Sequence, residues 1–187
     1  MRARWLLAAA ALAAAVLPAR AHPLSITQVL AAFERPGLVD VKMDIDLTPL
    51  LPSPEAYAAI AASAPAAQRA AIGRLLPEIV SGLQLQIGRT PLRLVLQDFK
   101  VPALPREAIL DPTADHFTLL HFIAALPASR DPIRLVVKPG TPISYPIAFV
   151  VQIPAAHLSD ASWIQDETEE SDEIDWAKSA PQAGANP

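Results

Sequence analysis

Hydrophobic and polar residues alternate along much of this chain with a period of two, most cleanly between Gly37 and Leu47. In GLVDVKMDIDL, Val39, Val41, Met43, Ile45 and Leu47 point one way, and Asp40, Lys42, Asp44 and Asp46 point the other. That period predicts a half-buried antiparallel strand. The preceding LSITQVLAAFE reads as its partner, with Arg35-Pro36-Gly37 as the turn between them. LQLQIGRTPLRLVLQDF predicts a second hairpin that turns near Gly88-Arg89. HFTLLHFIAAL, PIRLVVK and ISYPIAFVVQI add three more apolar runs of strand length, separated by turns bearing Pro or Gly.

One segment departs from the period of two. Residues 53–83 are rich in Ala and carry helix-start signals, Ser53-Pro54-Glu55 and Ser63 followed by Pro65. Pro77 is expected to interrupt the second helical stretch. The predicted fold is all-β, an antiparallel β-sandwich over residues 22–177 with this short helical insert. The insert is read as a cap over one open end of a sheet rather than as a functional lid. The tail, residues 178–187, turns Ala- and Pro-rich and is expected to be disordered.

The N-terminus changes the picture. Arg2 and Arg4 precede an apolar run from Trp5 to Leu17, then Pro18 and Ala19-Arg20-Ala21. These are the three parts of a secretory signal peptide, and the run is too short to span a bilayer comfortably. The expectation is cleavage between Ala21 and His22 and a periplasmic or secreted protein with no membrane span in the mature chain. Without Arg2, Arg4 and Arg20, 12 basic residues face 19 acidic ones, a net charge of −7. From Ser159 onward eight acids face one base, so the body from 22 to 158 balances at 11 against 11. A neutral body with an acidic end offers no footprint for nucleic acid. The chain contains no Cys, which excludes thiol catalysis, Fe–S clusters and cysteine zinc sites.

The start AHPLSI after the signal, the alternating VDVKMDIDL, the helical insert and LQLQIGRTPLRLVL together resemble a known family. It is the extracytoplasmic N-terminal β-domain of the hydrogenase/urease accessory (HupE/UreJ-like) membrane proteins. WIQDETEESDEIDW is similar to the last strand of such domains. In that family the domain precedes a helix bundle associated with nickel or cobalt transport. The histidine-bearing helices of the bundle have no counterpart in this sequence, so transport is not carried over. The resemblance implies a free-standing, non-enzymatic interaction or accessory module linked to metal handling, working beside a membrane permease or another envelope protein.

A mature N-terminal His22 offers an α-amine and imidazole Nδ1 as a chelating pair suited to Cu(II). Pro23 has no N–H, so a site that recruits the deprotonated amide of that residue is blocked, but the amine–imidazole brace is not. A third ligand would come from His116, His121, His157 or Asp115. His116 and His121 are five apart and so face opposite sides of one strand. His121 shares its face with Phe117 and Leu119 and reads as core, which leaves His116, at the strand entrance beside Asp115, as the candidate. The alternative function is therefore a copper-binding protein that uses His22 and His116. No other cofactor is expected.

Other chemistries find no support in the pattern. The chain has no G-x-S-x-G elbow, Walker loop, H-E-x-x-H or EF-hand loop, and so no assignable catalytic residue. Asp44 and Asp46 share a strand face and could pair, but an alternating strand solvates that face. The acidic stretch 166–175 reads as a charge-blunted edge strand rather than a Ca²⁺ loop.

Overall fold

The structure is a computed structural model and describes residues 26–102, 104–111, 116–166 and 170–177. Residues 1–21, read from the sequence as a signal peptide, and His22, Asp115 and the tail from 178 lie outside these residues. The chain is mostly β, with two sheets and few helices.

The first two strands, β1 (Thr27–Ala32) and β2 (Leu38–Asp46), form the expected antiparallel hairpin, with Gly37 at φ +76° in the turn. The left-handed conformation explains the Gly in Arg-Pro-Gly. Val39, Val41, Met43 and Ile45 are fully buried, as their alternation requires. Asp46 closes the strand, because its Oδ1 accepts bonds from the Thr48 N–H (2.8 Å) and hydroxyl (2.7 Å) and stabilises the short 3-10 turn Thr48–Leu50.

The insert forms two helices, α1 (Pro54–Ala61) and α2 (Pro65–Gly82), each with Pro in its first turn. Contrary to expectation, Pro77 lies inside α2 without breaking it. Its exposed position is the reason. On the solvent side a helix can tilt its carbonyls outward, and Gly73, four residues earlier, has open space around it. Ile72 and Ile79 point into the core, and Arg69 stacks its guanidinium over Phe99 at 5.3 Å.

The second predicted hairpin is only partly formed. β3 (Leu83–Ile87) turns at Gly88 (φ +58°) into the two-residue β4 (Thr90–Pro91). Pro91 lacks a ladder donor, and one further bond, from the Leu92 N–H to the Leu85 carbonyl (2.8 Å), ends the pairing. The chain then crosses to the other sheet as β5 (Val95–Lys100). A single turn, α3 (Arg106–Ile109), precedes β6 (Phe117–Ala125), and β7 (Ile133–Val137), β8 (Ile147–Ile153) and β9 (Leu158–Ile164) follow.

The larger sheet has the order β5-β6-β2-β1-β8-β9 and the smaller one β4-β3-β7. The expectation of a purely antiparallel fold needs correction, because β1 and β8 pair in parallel from Thr27–Ile147 to Ala32–Gln152. Parallel neighbours need a long crossover, and everything between β1 and β8 supplies it. β8 accordingly reads as a nearly unbroken apolar run, IAFVVQI. Inner-face residues of both sheets and both helices join one hydrophobic cluster, from Val29, Met43 and Phe122 to Leu85, Leu135 and Ile72.

Of the acidic stretch, residues 170–174 lie along the β7 edge, joined to it by isolated bridges rather than as a strand. Ile174 exchanges both backbone bonds with Ile133 (2.9 Å each), and Ser171 bonds Leu135 through its N–H (3.0 Å) and its Oγ (2.8 Å). This strap also reaches the larger sheet, where the Asp172 N–H donates to Ser162 Oγ (2.8 Å). Trp176 ends it, stacked on Phe33 with ring centroids 4.6 Å apart. Its indole N–H donates to the Asp131 carbonyl (2.8 Å). Among the described residues no helix is long and apolar enough to cross a membrane.

Candidate functional site

Register separates the histidines. The core face of β6 carries Thr118, Leu120, Phe122 and Ala124, so His121 stands on the opposite, half-exposed face with Phe117 and Leu119. The reading of His121 as core is therefore wrong. Pairing of Met43 with Leu120 and Val41 with Phe122 decides it, because β2 admits only one buried face.

On that outer face His121 meets Asp40. Its Nε2 donates to Asp40 Oδ1 (3.1 Å), while Arg35 reaches the same carboxylate with Nη2 (2.7 Å) and Nε (3.2 Å). The Arg35 fork comes from the turn that starts β2, five residues before its partner. Burial alone would push the Asp40 carboxyl up, but the bonds from Arg35 and His121 outweigh it and hold the group below the usual carboxylate range. Asp44, two pleats further along the same face, shows burial without that compensation, and its carboxyl is raised. The outer face of β2 is thus more sheltered than simple alternation implies.

The second polar group lies beneath α1. His116 continues the core face of β6 and is 6% exposed. Its Nε2 donates to the Ala108 carbonyl (3.1 Å), and its ring meets Tyr57 edge-on at 6.0 Å. The Tyr57 hydroxyl bonds Thr118 Oγ1 (3.0 Å). Burial pushes the phenol up to about 12, and the nearby Asp46 charge adds to the rise against the Thr118 bond. Tyr57 and Thr118 carried no sequence signal, since a lone Tyr in an Ala-rich helix reads as packing.

His157 occupies a third place. It takes φ +52° in the tight turn that joins β8 to β9. No two of the three described histidines meet, and among the described residues no group of three or more His, Asp or Glu converges on one point. Beside α1 a cavity of about 550 Å³ opens between Ala58, Ala62, Leu104, Pro105 and Ile109, with Glu55 at its rim. Its walls are mostly alanine and aliphatic, so it offers shape rather than reactive groups. No protein-family model matches the chain, and no curated protein does.

Proposed function

We propose that this protein is an exported, non-enzymatic interaction or accessory module of the cell envelope, linked to the handling of nickel, cobalt or copper. In this reading the fold is a β-sandwich, supported by two sheets whose inner faces share one core. The observation that carries the proposal is the employment of its ionisable side chains. Arg35, Asp40 and His121 bond one another, His116 ties a backbone carbonyl, and Tyr57 holds Thr118. Groups spent on such bonds position strands and helices rather than a reacting substrate. The partner is a membrane permease or another envelope protein, met after cleavage at Ala21/His22. The test is intact-mass analysis of protein from the envelope or medium, followed by calorimetric titration with Ni(II), Co(II) and Cu(II). A chain that begins at His22 and binds one of these metals supports the reading. Retention of Met1, or turnover in hydrolase assays that a single Ser or Asp substitution abolishes, would sink it.

One observation favours the copper alternative within this frame. The register brings Thr27 at the start of β1 to the same end of the larger sheet as Phe117 and hence His116. β1 and β6 are two strand steps apart, about 10 Å. Four peptide units link His22 to Ile26, a reach of up to about 14 Å. A brace of the His22 amine and imidazole could therefore take His116 Nδ1 as a third nitrogen. Cu(II) affinity should then collapse when one residue is added before His22, with loss of nitrogen hyperfine coupling in EPR. Unchanged affinity would place the metal elsewhere.

A further inference from the structure

The free edges of the two sheets are not equivalent. β5 carries a register shift between Leu96 and Asp98 and the charges Asp98 and Lys100, which guard an edge against pairing. β4 is two residues long and ends in Pro91, and the strap at 170–174 runs along β7. β9 has neither bulge nor proline, and the strap meets it at the inward-facing Ser162 side chain. All seven of its residues pair in unbroken register with β8, and it closes the larger sheet on that side. It also presents two large exposed apolar side chains, Leu158 (52%) and Trp163 (51%).

We infer that β9 is a self-association edge, on which a second copy of this chain adds its own β9 antiparallel about a two-fold axis at Ala161. The strand is suited to this because it is self-complementary in that register. Leu158 comes beside Ile164 of the second copy, Ser159 beside Trp163, and Asp160 beside Ser162. Trp163 gains Ser159 as a neighbour on the outer face, Ser162 and Ile164 stay in the core of their own chain, and the two Asp160 carboxylates stand diagonally rather than opposite. The Ala161 N–H is held by its own neighbour, Asp160 Oδ1 (2.8 Å), so pairing exchanges that bond for an interstrand one. A seven-residue strand pair buries less than a standard interface, so the association is reversible and concentration-dependent.

The test exploits the absence of cysteine in the chain. Ala161→Cys places a single thiol on the two-fold axis, and Val95→Cys places one on the opposite edge. With a short thiol-specific crosslinker, the Ala161→Cys chain should give covalent dimer in a yield that rises with concentration, and the Val95→Cys chain should stay monomeric. Sedimentation of the unmodified chain from about 10 µM to about 1 mM should show a monomer–dimer equilibrium. Ala161→Pro should abolish the dimer while circular dichroism and melting confirm the fold. Proline is tolerated there because that N–H lies outside the β8 ladder. A monomer at every concentration, equal crosslinking from Val95→Cys, or a dimer that survives Ala161→Pro would overturn the proposal.

Discussion

Asp40 and Asp44 sit on one face of one strand, four residues apart, yet their carboxyls move in opposite directions. Asp40 is held low by Arg35 and His121 against its burial, whereas Asp44 is raised by burial. For Asp40, a folded-state value below the unfolded one means stability that is complete above the unfolded value, about 3.9, and lost as pH falls through the folded value. For Asp44 the sign reverses, and the folded state loses stability as pH rises from the unfolded value through the raised one. Asp40→Asn should therefore destabilise the protein at pH 7. The cost is about 1–2 kcal/mol, reduced from the full value of a buried charge pair because Arg35 is half exposed. Asp44→Asn should leave stability equal or higher at that pH. Urea denaturation near pH 7 and again near pH 3 checks both, and both differences should shrink in acid. At this scale the sequence was least legible. Five-residue spacing correctly put His116 and His121 on opposite faces, but it could not say which face was core. That depended on β6 lying against β2, a contact between segments some eighty residues apart.

At the scale of elements, local pattern was a better guide. The β1–β2 hairpin, both helices of the insert and three of the later strands follow from periodicity and from Pro at helix starts. The misses have physical causes. LSDASWI, which forms β9, is too polar and too exposed to read as a strand, and only its ladder to β8 makes it one. The return limb after Gly88 alternates well, yet its pairing ends one bond beyond Pro91, at Leu92, and the chain changes sheets. The junction of α2 and β3 has no loop at all, since Gly82 ends the helix and Leu83 begins the strand. Gly82 permits this because a Cβ there would run into the Thr141 side chain, whose Oγ1 is committed to the Lys138 carbonyl (2.6 Å). The Lys138 N–H also donates to the Gly82 carbonyl (2.8 Å), so helix end and turn are locked together. Gly82→Ala should cost about 1–3 kcal/mol by forcing Thr141 to move. Pairing it with Thr141→Gly should recover much of the loss, and a double-mutant cycle in urea measures this. Additive effects would mean that the two positions do not share the space.

At the scale of the whole molecule, the parallel pairing of β1 with β8 and the closing strap are the features that no local pattern reports. Both join segments distant in sequence, and the strap does so with an acidic stretch that looks solvated on composition alone. Its alternate residues Ile174 and Trp176 are buried, while Glu173 and Asp175 face water. The strap touches both sheets, through Ser171 and Ile174 on β7 and through Asp172 on Ser162 of β9. Trp176 then fills the space over Phe33, at the end of the β1–β2 hairpin, and satisfies the Asp131 carbonyl beside β7. Removing that indole should therefore weaken the joint between the sheets rather than one of them. Trp176→Ala should cost about 3–5 kcal/mol, as large aromatic truncations in cores do. Because both sheets and the helices share one cluster, the loss should lower a single transition seen alike by far-ultraviolet circular dichroism and by Trp163 fluorescence. Phe33→Ala combined with Trp176→Ala should cost less than the sum of the two, since the stacked rings account for about 0.5–1.5 kcal/mol between them. Two separated transitions in the single variant, one for each sheet, would show that the strap holds together parts that fold independently.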